Sequence, residues 1–269
     1  MTLAHDLAGP SDSTRNVVLL HSTVCDRRMW DAQLPALVAA GCRVVRGDFR
    51  GYGETTYASA PHAAAGAAVD VVDDAADVLA LMDAVGMARA VLIGASYGGR
   101  TALEIALRAP ERVTGLALLC PGTLPGAPES AELTAFEERE VELVQYGDLD
   151  EAAALSARTF LGPEADPTTL AAVAAMQLNA YEVQLASADE YSAAGDFDVA
   201  ALADVSVPAL VVSGAHDLVD FRTAARQAAA ALPGARHREL SWAGHLPSLE
   251  RPAEVTGLLV DFLDAVTSR

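Results

Sequence analysis

The sequence contains no lysine: all 18 of its basic residues are arginines, set against 37 aspartates and glutamates. The formal net charge at pH 7 is therefore −19. A surface of this sign repels the phosphates of nucleic acids and of anionic membranes. We therefore expect neither nucleic acid nor a membrane as a partner.

Cysteines and long apolar runs are also scarce. Cys25, Cys42 and Cys120 are odd in number and lack paired spacing, which predicts buried thiols rather than disulfides or a zinc site. No apolar run approaches the roughly 18 residues of a membrane-spanning helix. The N-terminal residues lack the basic and apolar regions of a signal peptide, so we expect a cytoplasmic protein.

Sequence motifs for nucleotides and metals are missing. The sequence has no G-x-G-x-x-G, no phosphate-binding loop and no H-E-x-x-H. His5, His62 and His237 are scattered along the chain and form no ligand set. We therefore expect no cofactor and no bound metal.

Short apolar runs alternate with helical patterns over residues 1–120 and again over 201–269. Val17–His21 and Val113–Leu119 are continuous apolar runs, as buried parallel strands are. Repeated alternation predicts an α/β fold, with a mostly parallel sheet and helices on both faces. The helical patterns lie at Asp31–Ala40, Ala68–Val85, Tyr97–Arg108, Phe221–Ala231 and Pro252–Val266.

Residues 121–200 have a different composition. They begin with the Pro/Gly-rich stretch 121–128 and carry 16 acidic residues and 2 arginines, which is −14 of the total charge. Only helical patterns follow, at Leu133–Tyr146, Leu149–Phe160 and Thr168–Tyr191. An all-helical insertion between strands predicts a cap over a core formed by 1–120 and 201–269.

The strongest local motif is G-A-S-Y-G at residues 94–98, between an apolar strand at Ala90–Ile93 and a helix that begins near Tyr97. A chain that turns sharply from strand to helix holds its central serine in a strained conformation. Side chains two residues to either side would clash with the turn, so both positions are glycine. The pattern predicts Ser96 as a nucleophile, beside the free N–H groups of a helix N-terminus.

A serine nucleophile needs a base, and the base needs an orienting acid. Asp217 follows a predicted strand at Pro208–Ser213, and His245 follows another at Arg236–Leu240. The carboxyl ends of parallel strands share one edge, so both side chains are expected near Ser96. The order Ser, Asp, His also fits this arrangement. His216 and Asp220 lie in the same loop as Asp217 and remain alternative partners for the base.

Together these motifs resemble those of the α/β-hydrolase superfamily over nearly the whole chain. The resemblance implies the α/β-hydrolase fold and a triad of Ser96, Asp217 and His245. It also implies an oxyanion hole formed by the backbone N–H groups of Thr23 and Tyr97. The matching segments are VVLLHST (17–23), DFRGYGET (48–55), GASYGG (94–99), SGAHDLVD (213–220) and AGHLPSLERPAEV (243–255).

Two features depart from the family pattern. Ser22 stands where the family usually has glycine at the oxyanion turn, and serine has less backbone freedom. The arm before Val17 is short, so we expect one or both of the family's leading antiparallel strands to be reduced.

These observations predict a serine hydrolase that cleaves a carboxylic ester or a related acyl bond through an acyl-enzyme. The cap offers only Arg139 and Arg158 as cations, so we expect a small neutral or apolar acyl substrate. The same triad would also serve a lactonase, a thioesterase, a carbon–carbon bond hydrolase or a cofactor-free perhydrolase. A non-catalytic ligand receptor is a further alternative. Apolar candidates for the pocket, each explained better by core packing, are Trp30, Met176, Leu178, Tyr181 and Leu246.

Overall fold

A seven-stranded sheet forms the centre of the fold in the computed structural model, which describes residues 3–57, 70–187, 191–193 and 197–267. The strand order is β1-β3-β2-β5-β6-β8-β9, and every neighbouring pair except β1–β3 is parallel. The strands are β1 (His5–Ala8), β2 (Asn16–Leu20), β3 (Arg43–Gly47), β5 (Ala90–Ala95), β6 (Val113–Leu119), β8 (Ala209–Gly214) and β9 (Arg236–Leu240). A separate parallel pair is formed by β4 (Asp70–Val72) and β7 (Tyr191–Ala193).

Helices cover both faces of the sheet, as the alternation of patterns predicted. The helices of the core are α1 (Leu34–Ala39), α2 (Asp74–Ala84), α3 (Tyr97–Arg108), α7 (Val219–Ala231), α8 (Pro247–Glu250) and α9 (Pro252–Thr267). Short 3-10 turns occupy Arg27–Trp30, Pro110–Arg112 and Val199–Asp204.

The two faces of the sheet are buried in separate clusters, and β2 shows the division. Val17 and Leu19 pack with α1 and α9 on one face, whereas Val18 and Leu20 pack with α2, α3 and α7 on the other. All four side chains are almost fully buried. A strand covered on both faces has a continuous apolar sequence, which is why the uninterrupted apolar run at Val17–His21 predicted β2.

Two predicted helices begin later than the sequence indicated. The pattern at Ala68–Val85 is split: β4 holds Val72, and α2 begins at Asp74, where the Asp73 side chain accepts a hydrogen bond from Ala76 N–H. Residues 68 and 69 lie outside the described residues. The pattern at Asp31–Ala40 becomes the shorter α1, with Pro35 in its first turn.

The insertion between β6 and β8 is built from α4 (Ala131–Tyr146), α5 (Leu149–Phe160) and α6 (Pro167–Leu185). The predicted third helix, Thr168–Tyr191, ends at Leu185, and Tyr191 lies in β7 instead. The helices share a small core of their own, and all three also pack on the main core. The insertion thus lies against the edge of the sheet at which β5, β8 and β9 end.

Other predictions about the chain can be compared with the described residues. One leading antiparallel strand, β1, is present and pairs with β3. The three cysteines are buried and free, as predicted. None of the helices described here has the length and apolar character that crossing a bilayer requires.

Candidate active site

Ser96 occupies the turn between β5 and α3 with φ 52° and ψ −119°. Positive φ is uncommon for a residue with a side chain, and it persists only where the surroundings enforce it. Here Ser96 N–H donates to the Leu119 carbonyl at 2.9 Å. The Ser96 carbonyl accepts from the N–H groups of Gly99 and Gly122 at 2.9 and 2.8 Å. Strand β6 and the first turn of α3 therefore hold the serine in its strained conformation.

The two glycines of the motif are required by close backbone contacts. A Cβ at Gly94 would lie 2.3 Å from the Gly98 carbonyl oxygen. A Cβ at Gly98 would lie 2.4 Å from the Leu20 oxygen and 2.7 Å from the His21 oxygen. The spacing predicted from the sequence thus brings α3 directly against the end of β2.

We expect Gly98→Ala to destabilise the fold by about 3 kcal/mol or more, because its methyl group would overlap two backbone carbonyls that cannot move independently. Gly122→Ala is the matched control, since its Cβ would make only ordinary contacts of 3.5 Å with the Ser96 backbone. Chemical denaturation of both variants measures the difference. Equal unfolding free energies would contradict the steric explanation.

His245 and Asp217 form a buried pair beside Ser96. His245 Nδ1 lies 2.8 Å from Asp217 Oδ2, and both side chains are at most 2 % exposed. Asp217 Oδ1 accepts a second hydrogen bond, from Leu218 N–H at 2.7 Å. Because a carboxylate only accepts, Nδ1 donates the proton of this bond, which in a neutral imidazole leaves the lone pair on Nε2.

The other acids and bases of the Asp217 loop are engaged elsewhere. Asp220 accepts from Ser130 N–H at 2.7 Å and from the Ser130 hydroxyl at 2.6 Å, at the start of α4. In the part of the chain that the structure describes, neither Asp220 nor His216 forms a hydrogen bond with His245. Of the candidates considered from the sequence, the structure brings Asp217 to the histidine.

The turn after β2 is organised by His21. His21 Nδ1 donates to the Ser22 carbonyl at 2.8 Å, and Nε2 accepts from Phe49 N–H at 2.9 Å. Burial lowers the pKa of His21, which keeps the ring neutral and able to accept. Ser22 has no positive φ, so serine at this position causes no backbone strain. The departure from the family's glycine is therefore accommodated.

Thr23 and Tyr97, the predicted oxyanion donors, both line the cavity beside Ser96. Across the described segments, neither backbone N–H donates to a protein acceptor. The Tyr97 side chain is anchored away from the serine, where its hydroxyl donates to Asp74 Oδ2 at 2.7 Å. Burial raises the pKa of Asp74 to about 6.

A cavity of about 150 Å³ connects these groups. Ser96 and His245 both form its wall, although no hydrogen bond joins their side chains within the described residues. Apolar wall is supplied by Val24, Phe160 and Phe221. The rings of Phe221 and Phe160 also pack on His245, with centroids 4.1 and 5.2 Å away.

The cavity differs from the one expected from the sequence. The apolar candidates proposed for its lining do not face it, and Trp30 and Leu246 are fully buried core residues. Arg139 and Arg158 of the cap pair with Glu142 and Glu151 on the surface. The arginine on the cavity wall is Arg100 instead. Arg100 lies one helical turn after Ser96, and this spacing in the sequence could have predicted that the two residues face the same cavity.

Cys120 is a second residue that sequence reasoning left aside. It follows β6 with φ 44°, and burial raises the pKa of its thiol. Its sulfur and one ligand atom each of Asp217 and His245 lie within 4.8 Å of one another. The thiol therefore lies beside the His245–Asp217 pair, and nothing in the sequence pattern indicated this proximity.

Strand, turn and helix thus bring together a strained serine, a buried His–Asp pair and two unengaged backbone donors, the arrangement of a serine hydrolase. Residues 15–252 match the α/β hydrolase fold family. The chain therefore belongs to this family, which confirms the fold and the hydrolase class that its motifs predicted.

Individual relatives span nearly the whole chain. "Putative carbamate hydrolase RutD" of Variovorax paradoxus (strain S110) is 30% identical, over 100% of this chain and 98% of its own length. The enol-lactonase of Burkholderia xenovorans LB400 is 28% identical with a TM-score of 0.75, covering 97% of this chain and 96% of that one. A thermophilic esterase from Thermogutta terrifontis is 25% identical with a TM-score of 0.74, covering 98% and 93%. The chain is similar to proteins named for several hydrolytic reactions.

Proposed function

We propose that this protein hydrolyses a small carboxylic ester through an acyl-enzyme on Ser96, with His245 as base and Asp217 as its orienting acid. The observation that carries the proposal is the buried contact of 2.8 Å between His245 Nδ1 and Asp217 Oδ2, made by a histidine that shares a cavity wall with the strained Ser96. This geometry leaves Nε2 free to take the serine proton. A residue that only packed the core would not need that arrangement.

The reaction follows in two halves. His245 Nε2 removes the hydroxyl proton as Ser96 Oγ attacks the carbonyl carbon, and the oxyanion receives hydrogen bonds from the N–H groups of Thr23 and Tyr97. The intermediate collapses, and His245 delivers its proton to the departing alcohol. Water then attacks the acyl-enzyme with His245 again as base, which releases the carboxylic acid and restores Ser96.

The size of the cavity supports a short acyl group. Its volume of about 150 Å³ is below the roughly 300 Å³ at which drug-sized ligand pockets begin. Three apolar side chains of the cavity wall favour a neutral or apolar acyl chain, and Arg100 adds a polar side chain to the same wall.

Hydrolysis of p-nitrophenyl esters from acetate to decanoate tests the proposal. We expect kcat/KM to be highest among the shortest acyl chains and to fall with length, because longer chains exceed the cavity. The Ser96→Ala variant is the negative control, which measures hydrolysis that does not depend on the proposed nucleophile. Absence of turnover on every ester would contradict ester hydrolysis and would favour a carbon–carbon bond substrate or a non-catalytic receptor.

Lactone hydrolysis is the second candidate, because a lactone is a compact ester that suits a small cavity and the similar Burkholderia xenovorans protein is named an enol-lactonase. The same groups would act, but the alcohol would stay attached to the acyl-enzyme until water released the product. A kcat/KM for small lactones above that for p-nitrophenyl acetate would favour this candidate.

A further inference from the structure

A glutamate outside the triad joins the cap to the loop that carries His245. Gly244 N–H donates to Glu250 Oε1 at 3.0 Å and to Oε2 at 3.1 Å. Gly162 N–H, two residues past the end of α5, donates to the same Oε2 at 3.1 Å. One carboxylate thus satisfies backbone donors of the cap and of the residue directly before His245.

Three backbone segments approach closely at this point. A Cβ at Gly162 would lie 2.4 Å from Glu250 Oε2, and one at Gly244 would lie 2.4 Å from the Gly162 nitrogen. A Cβ at Gly214, the last residue of β8, would lie 1.9 Å from the Gly244 oxygen. The end of the cap helix, the histidine loop and the strand that leads to Asp217 therefore approach too closely for a side chain at any of these three glycines.

The cap also holds the histidine backbone directly. His245 N–H donates to the Phe160 carbonyl, the last residue of α5, at 2.7 Å. His245 lies five residues beyond the end of β9, so sheet hydrogen bonds do not fix its position. Its loop is held instead by three hydrogen-bonded contacts: His245 N–H to the Phe160 carbonyl, Gly244 N–H to Glu250, and His216 N–H to the Ala243 carbonyl.

We propose that Glu250 is a positioning residue for His245, which aligns the base with Asp217 and Ser96 by anchoring its loop to the end of α5. The inference rests on the proposed function, since it assigns His245 the role of base. Glu250 lines no part of the cavity and acts only through the backbone. Burial raises the pKa of Glu250, while the N–H donors of Gly244 and Gly162 oppose that rise.

Two substitutions of Glu250 test the alignment. Glu250→Ala removes both acceptors and is expected to lower kcat about 100-fold, the effect of displacing a catalytic group by about 1 Å, with KM within about twofold. Glu250→Gln keeps one carbonyl acceptor and should retain several times more activity than the alanine variant. Glu164→Gln is the matched control, because Glu164 is an exposed acid near Gly162 that pairs with Arg251 instead.

A readout separate from turnover distinguishes positioning from general destabilisation. The Nδ1 proton of His245 should give a downfield NMR signal in the native chain and in Glu164→Gln, and a broadened or shifted one in Glu250→Ala. Val255→Ala removes a buried side chain of α9, so it should lower the midpoint of thermal unfolding while kcat per folded molecule and the signal stay native.

The outcomes separate this inference from the proposed function. Native kcat and a native Nδ1 signal in Glu250→Ala would overturn the role of Glu250, and so would equal damage by alanine and glutamine. An inactive native chain would overturn the proposed hydrolysis, but a disturbed signal in Glu250→Ala would still support the anchoring of the histidine loop.

Discussion

Replacement of Ser96 by alanine is expected to lower kcat for ester hydrolysis by about 10⁶-fold, the loss that triad enzymes show when the nucleophile is removed. The oxyanion donors and the cavity remain, so substrate still binds and KM should change little. Steady-state kinetics and labelling by a fluorophosphonate measure the two effects. The variant should give neither turnover nor label.

The control for this substitution is Ser22→Ala, which removes another buried serine hydroxyl from the wall of the same cavity. We expect its kcat to stay within a few-fold of the native value. Turnover that survives in Ser96→Ala but disappears in Ser22→Ala would contradict the assignment of the nucleophile.

A companion variant tests the strain at the same position. Ser96→Gly should be equally inactive but more stable than the native chain by about 1 kcal/mol, because glycine adopts a positive φ without steric cost. Thermal and chemical unfolding measure the gain. A loss of stability in Ser96→Gly would show that the serine side chain contributes contacts that outweigh its backbone strain.

Replacement of Asp217 by asparagine should lower kcat by about 10⁴-fold while leaving the fold intact. The asparagine amide can donate to Nδ1, which favours the tautomer with the proton on Nε2, and that nitrogen can then no longer accept the serine proton. The loss should appear in kcat rather than in KM, since Asp217 does not line the cavity.

Asp220→Asn is the matched control for Asp217→Asn. It changes an acid three residues away that binds Ser130 at the start of α4, so stability should fall while kcat stays within a few-fold. A severe loss of kcat in Asp220→Asn together with an active Asp217→Asn would show that Asp220, and not Asp217, is the orienting acid.

Much of the candidate site could be predicted from the sequence because each of its parts is local. The turn around Ser96 could be recognised from residues 94–98 alone. Its glycines are required by contacts within the strand–turn–helix unit and with the adjacent strand. Asp217 follows the apolar strand β8 and His245 follows the polar, mostly exposed strand β9. Parallel strands end at a common edge. Order and spacing were therefore sufficient to name the residues, whose roles remain proposals.

The errors arose where helical periodicity was used without tertiary context. Val72 suited a helical stripe, yet it belongs to β4, whose partner β7 lies about 120 residues further along the chain. The same pairing separates Tyr191 from the helix predicted to contain it. Strand pairing over such a distance leaves no signal in a short window of sequence.

The sequence by itself determined the alternation of strands and helices, the strand-to-helix turn around Ser96 and the order of the proposed triad. These follow from apolar patterning and from turns that only glycine permits. The tertiary structure decided the rest. It selected Asp217 over Asp220 as the partner of His245. It placed Arg100 on the cavity wall and directed Glu250 onto Gly162 and Gly244. The contact between Glu250 and Gly162 exists only once the cap packs against the edge of the sheet. Asp217 meets His245 only once β8 and β9 pair, because that pairing brings the loops that follow the two strands together.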